Sequence, residues 1–152
     1  MRIAWLTILI TLFGVAKGSG NAGLYGGWPE LFGIHFVTAE DLRFSVGLSP
    51  DGGSPSQYGV AFSLDLILSK GTVYAEGDGA SELSYYAGAG AMLGLLRRRP
   101  EANGHAMLGL ELRLSEIKNM GFFGELQLGQ RVTFNPLSAG PHLGFRLGLA
   151  LR

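Results

Sequence analysis

The chain contains no cysteine. That excludes a disulfide scaffold, a thiolate metal centre and a cysteine nucleophile. Charge is also scarce: Asp, Glu, Lys and Arg together make up 16% of the residues, whereas a soluble domain carries about 25%. The formal net charge is zero. Nucleic-acid binders show a basic surplus or stripe, so no nucleic-acid partner is expected. Long hydrophobic runs are missing beyond the first residues. The stretch Ile3 to Ala16 is apolar, but it is shorter than the about 20 residues a spanning helix needs. No helical periodicity appears after it.

What is present is a leader and a repeated alternation. Arg2 followed by the apolar run reads as the positive n-region and core of a secretory signal. Small residues offer cleavage after Gly18 or after Ala22. The expected organisation is a signal peptide over 1–22 and one domain over 23–152, with an uncleaved anchor helix as the alternative. The segment Gly140 to Arg152 then alternates almost without a break. Leu143, Phe145, Leu147, Leu149 and Leu151 lie on one side, with His142, Gly144, Arg146, Gly148 and Ala150 on the other. A period of two is a β-strand with one apolar face.

The same pattern recurs upstream. Leu24 to Trp28 is a short first strand, followed by Phe32, Ile34 and Phe36 opposite Gly33 and His35. After an Ala39-Glu40-Asp41 turn, Leu42, Phe44, Val46 and Leu48 oppose Arg43, Ser45 and Gly47. The Pro- and Gly-rich stretch Ser49 to Ser56 reads as a loop. Tyr58 to Leu68 is a long fourth strand. Lys70 to Glu82 reads as a connection that can extend its neighbours. A fifth strand places Tyr85, Ala87, Ala89, Ala91, Leu93 and Leu95 opposite Tyr86, Gly88, Gly90 and Met92. A basic loop, Arg97-Arg98-Arg99-Pro100, runs to about Gly104. The sixth strand carries Leu108, Leu110 and Leu112 against Met107, Gly109, Glu111 and Arg113. The seventh carries Phe122, Leu126 and Leu128 against Glu125, Gln127 and Arg131, and Asn135-Pro136 opens the last loop. The expected fold class is all-β, a closed antiparallel eight-stranded up-and-down barrel.

Alternation alone does not say which face meets water. A soluble barrel hides its apolar face inside, and a transmembrane barrel turns it outward. The weaker face decides between them. It is Gly, Ala and Ser with isolated charges, too poor in Lys and Glu for a solvated surface and small enough for the narrow lumen of eight strands. The reading is therefore a transmembrane barrel. Its inward charges, Arg43, Asp65, Glu111, Arg113, Glu125, Arg131 and Arg146, are expected to pair across strands in a lumenal cluster, because an unpaired buried charge is costly. Tyr58, Tyr85, Phe122 and Phe134 near strand ends suit an interfacial girdle.

With its leader, eight alternating segments and final run Leu143-Gly144-Phe145-Arg146-Leu147-Gly148-Leu149-Ala150-Leu151-Arg152, the chain resembles the small outer-membrane β-barrel proteins of the OmpA/OmpX/OmpW-like class. The resemblance covers the whole region after the leader. It implies export to an outer membrane, insertion by the outer-membrane assembly machinery, and contact with outer-membrane lipids and lipopolysaccharide-like anions. Barrels of this class usually end on an aromatic residue, whereas the last residues here are Leu151 and Arg152.

Candidate chemistry is sparse. His35, His105 and His142 all fall on the inward face. His105 and His142 open strands that run in the same direction, so they are candidates for a metal or proton-sensing pair, with ordinary rim histidines as the alternative. No Gly-x-Ser-x-Gly elbow is present, and Gly88, Gly90 and Gly94 do not have dinucleotide spacing. The run Arg97, Arg98 and Arg99 suits an anionic surface or a solvated loop. The expectation is a non-enzymatic barrel without cofactor, its lumen filled by side chains, in a structural or surface-interaction role. The alternatives are a soluble periplasmic lipocalin-like barrel holding an apolar ligand, and a lipid-modifying outer-membrane enzyme.

Overall fold

The computed structural model describes residues 21–51, 54–76, 81–95, 99–114, 117 and 119–151. The leader core, Gly18, and the loop residues Arg97 and Arg98 lie outside the described residues. Eight strands follow one another: β1 (Asn21–Trp28), β2 (Phe32–Val37), β3 (Leu42–Asp51), β4 (Ser54–Ala75), β5 (Ser81–Leu95), β6 (Glu101–Leu114), β7 (Met120–Phe134) and β8 (Leu137–Leu151). Each pairs antiparallel with its sequence neighbours. β1 also pairs with β8, which closes the barrel.

The strands are staggered. Paired residues followed once round the wall from Leu151 run through Ala22, Phe36, Phe44, Leu64, Ala91, Gly104 and Gln130. They return to Pro141, ten residues away on the same strand. Such a stagger requires strongly tilted strands, and on eight strands it leaves an interior only side chains wide.

The alternation resolves into an outer and an inner face. Leu108, Leu126 and Leu147 expose 59%, 59% and 63% of their surface, while Arg43, Asp65, Glu125 and Arg146 expose at most 3%. On β6, β7 and β8 the outward positions from Ala106 to Leu112, from Phe122 to Leu128 and from Leu143 to Leu151 are all Leu, Phe, Ala or Gly. Trp28, Phe32, Tyr58 and Phe134 are exposed toward one end, and Tyr85 and Phe122 toward the other.

Inward glycines make room for the large side chains that fill the lumen. Tyr86 lies over Gly109, where a Cβ would sit 2.1 Å from the ring's Cζ. Tyr25 lies over Gly33 in the same way, at 2.3 Å. Gly33 and Gly109 are therefore floors beneath aromatic rings.

Several boundaries differ from the sequence reading. β1 starts at Asn21 and not at Leu24, and Ala22 is paired on both sides within the wall. The expected loop over Ser49 to Ser56 is mostly strand, because β3 continues to Asp51 and β4 resumes at Ser54. Proline fits there because the ladder is already irregular, with a register shift between Pro50 and Asp51. The Lys70 to Glu82 connection is strand as far as Ala75 and again from Ser81. Register shifts between Ile67 and Ser69 and between Thr72 and Tyr74 absorb its irregular pattern. The basic loop ends at Pro100, since β6 begins at Glu101, and the last loop shrinks to Asn135-Pro136. In each case ladder pairing with a long neighbour overrides local turn composition.

Close packing over the glycines sets a clear expectation. Gly109→Val should destabilise the barrel by about 1–3 kcal/mol, the usual cost of overpacking, because Tyr86 must leave its place. Gly104→Ala, with open space around its added Cβ, should change stability little. Thermal or urea unfolding in detergent measures both.

Candidate functional site

The lumen is crossed at mid-height by a cluster of ions. Its hub is Arg43 on β3. Arg43 Nη1 and Nη2 donate to the two carboxylate oxygens of Glu125 on β7 at 2.6 and 2.9 Å. Its Nε and Nη2 donate to Asp65 Oδ2 on β4 at 3.0 and 2.9 Å. Arg43 and Asp65 are direct cross-strand partners, as are Glu125 and Arg146. The period of two on adjacent strands thus delivers opposite charges to the same level of the lumen.

Arg146 on β8 is the second cation. Its Nη2 and Nε lie 2.6 and 2.8 Å from Glu30 Oε2, and its Nη1 lies 3.4 Å from Asp65 Oδ2 and 3.7 Å from Glu125 Oε1. Tyr25 and Tyr86 close the cluster. The Arg146 guanidinium stands 4.7 Å from the Tyr25 ring centre, and the Tyr86 hydroxyl donates to Glu125 Oε2 at 2.9 Å. In a space without bulk water, forked guanidinium–carboxylate contacts are the arrangement that offsets desolvation of both ions.

Toward the end that carries the β7–β8 turn, a chain of hydrogen bonds continues from the ions. Gln127 Nε2 donates to Glu125 Oε1 at 2.8 Å. Its Oε1 lies 3.5 Å from His142 Nε2, and His142 Nδ1 is 3.4 Å from Asn103 Nδ2. Asn103 Oδ1 is 2.9 Å from His105 Nδ1, and His105 Nε2 returns to Asp65 Oδ1 at 3.1 Å. The two imidazoles are 5.8 Å apart, centre to centre. His35 lies elsewhere, between the Tyr25 and Phe123 rings.

At the opposite end, where β1 begins and β8 finishes, the lumen is not filled. A cavity of about 310 Å³ opens there, lined by His35, Arg43, Tyr86, Glu82, Glu111 and Arg113 among others. On one side of it β4 and β5 stand taller than β3, remaining paired as far as Ala75 and Glu82 after the last β3–β4 pair at Leu42 and Leu66. The side-chain-filled lumen expected from the sequence therefore holds for the middle of the barrel and not for this mouth. The rim charges are committed to each other. Arg113 contacts Glu82 at 3.0 Å and Glu111 at 2.9 Å, and Lys70 contacts Asp41 at 2.6 Å.

Of the seven inward charges singled out in the sequence, Arg43, Asp65, Glu125 and Arg146 meet in one cluster. Glu111 and Arg113 form a separate rim group, lower in the same lumen. Arg131 stands apart and is exposed near the other mouth, because it lies high on β7, above the level of the ions. Of the basic loop, only Arg99 is described, and it is exposed. Glu30 and Glu82 were missed. Glu30 lies in the β1–β2 turn, where alternation carries no information. It is nevertheless 1% exposed, folded in with Ser49 Oγ donating to Pro29 O at 2.8 Å. Tyr86 and Gln127 fell on the inward face, but being neutral they gave no signal of their own; Asn103 lay in the expected basic loop, and Tyr25 on a first strand with no assigned face.

Arg43→Met should cost about 3–5 kcal/mol, because it strands two buried carboxylates. Arg113→Met on the half-exposed rim should cost less than about 1 kcal/mol. Unfolding midpoints of the two variants in one detergent provide the comparison. No protein-family model, no curated protein and no solved structure matches this chain.

Proposed function

We propose that the protein is an exported, non-enzymatic outer-membrane barrel whose mid-lumen ion cluster keeps it closed, acting as a structural or surface-interaction module. The observation that carries this reading is the belt of outward Leu and Phe side chains, which on β8 leaves every outward position from Leu143 to Leu151 uncharged. A tilted strand needs about 9–11 residues to cross the bilayer, and a water-exposed wall of this composition would aggregate. The lipocalin-like alternative needs the reverse arrangement, an apolar interior and a polar wall. Here the interior holds Arg43, Asp65, Glu125 and Arg146.

The lipid-modifying alternative is weakened by the histidines' surroundings. Among the described residues, the hydrogen-bond partners of His105 and His142 are Asp65, Asn103 and Gln127. None is a hydroxyl, and both rings face away from the wall's outer surface. In this reading a leader ending at Gly18 is favoured over Ala22, because Ala22 is built into β1. The partners are membrane lipids on the belt, the assembly machinery during insertion, and lipopolysaccharide-like anions at the Arg97-Arg98-Arg99 loop.

Spin labels test the reading. In reconstituted bilayers, labels at Leu108, Leu126 and Leu147 should be relaxed by lipid-soluble oxygen, and labels at Met107 and Gln127 should be protected from it. Equal relaxation on both faces, or recovery of the protein in a soluble periplasmic fraction, would reject it. Leu126→Arg should destabilise the inserted barrel by roughly 2–4 kcal/mol if that position lies near the midplane.

A further inference from the structure

The ion cluster closes the middle of the barrel but does not account for the cavity at the mouth. That cavity holds about 310 Å³, at the lower end of the about 300–1,000 Å³ of small-molecule sites. His35 on β2 is a buried polar group that the rest of the lumen leaves unsatisfied. It is 4% exposed and lines the cavity. Its ring packs against the rings of Tyr25 and Phe123, and Gly23 leaves clear the space beside Nε2 that a Cβ would take. The imidazole hydrogen bonds among the described residues belong to His105 and His142, and none to His35. A polar ring buried without a partner costs free energy. What enters the cavity is what can reach it.

The facing wall carries complementary groups. β2 and β6 are four strands apart in the ring of eight, whichever way it is followed. On β6, Arg113 meets Glu111 through Nε and Glu82 through Nη1. Its Nη2 takes part in neither contact. The Ser84 hydroxyl lines the same space, and the Phe123 and Tyr86 rings give it apolar surface. The charges along the cavity balance, three cations against three carboxylates, and each cation already holds a carboxylate.

We propose that the mouth is a binding site for a neutral, polyhydroxylated ring the size of one monosaccharide, held between His35 on one wall and the Arg113–Glu82 pair on the other. A hydroxyl both donates and accepts. One hydroxyl therefore satisfies either kind of imidazole nitrogen. Another accepts from Arg113 Nη2 and donates to Glu82 without separating the pair. A charged ligand would have to break a rim ion pair to find its counter-charge, and a wholly apolar ligand would leave His35 unsatisfied. The C–H face of such a ring suits the apolar surface of Phe123 and Tyr86. This inference goes beyond the structural role proposed above and rests on the cavity alone, so its failure leaves the membrane reading standing.

The test is a titration of the barrel in micelles of an uncharged polyoxyethylene detergent, which carries no sugar, followed by ¹H–¹⁵N NMR. D-glucose is the probe, with acetate and glycine betaine as charged controls. Glucose should shift the amides of His35, Ser84 and Arg113 saturably and leave those of Gln127 and His142, beyond the ion cluster, unmoved. Both controls should act more weakly on the same amides. His35→Phe keeps a ring and removes both nitrogens, and it should weaken glucose binding about fivefold, the worth of one neutral hydrogen bond. Ser84→Phe fills the cavity and should abolish binding. Unchanged amide spectra of β7 and β8 show that a variant is folded; where one is not, the parent titration with its controls decides. Shifts in the parent that do not saturate, or that scatter over the outer wall, overturn the site. A stronger response to acetate or betaine than to glucose overturns the ligand class. Equal affinity in the parent and in folded His35→Phe overturns the part given to His35.

Discussion

A charge held where bulk water cannot reach must be neutralised by its neighbours, and the lumen of this barrel is organised by that requirement. Eight staggered strands leave a core only side chains wide. Arg43 and Arg146 enter it from β3 and β8, and each requires acceptors in forked geometry. Asp65 and Glu125 supply them from β4 and β7, and Glu30 folds in from the β1–β2 turn to complete Arg146. The glycines opposite Tyr25 and Tyr86 serve the same end, since the rings that seal the ions from solvent need floor space.

The inversion of the barrel follows from how its two faces divide the work. The outer face carries large apolar side chains that touch few protein neighbours. The inner face supplies specific contacts: ion pairs, the Gln127–His142–Asn103–His105 chain and the stacked rings around His35. Cohesion in such a wall comes from the closed backbone ladder and from the lumen, not from a packed apolar core; among the described residues, Tyr25, Phe123 and Ala150 form the buried hydrophobic cluster. The unequal wall heights then differentiate the ends. The mid-lumen is closed, and the end where β1 begins opens into a mouth whose charges are mutually paired.

The alternation legible in the sequence carried the architecture far. It placed Arg43, Asp65, Glu125 and Arg146 on one face and Leu108, Leu126 and Leu147 on the other, and it put three histidines inward. It failed where alternation stops. Glu30 sits in a turn, and Lys70 to Ala75 is broken by bulges, so neither had a readable face. It also could not rank charges of equal parity. Arg131 and Glu125 share a face of β7, yet Glu125 reaches the ions and Arg131 reaches solvent.

The sequence by itself determined the number of strands, their amphipathic division and the inward set of ions, because these depend on a period of two that survives any register. The tertiary structure alone decided which ions meet, that a turn glutamate completes them, and that one end stays open. Those outcomes depend on the stagger between strands, which converts positions along eight separate strands into shared heights in one lumen.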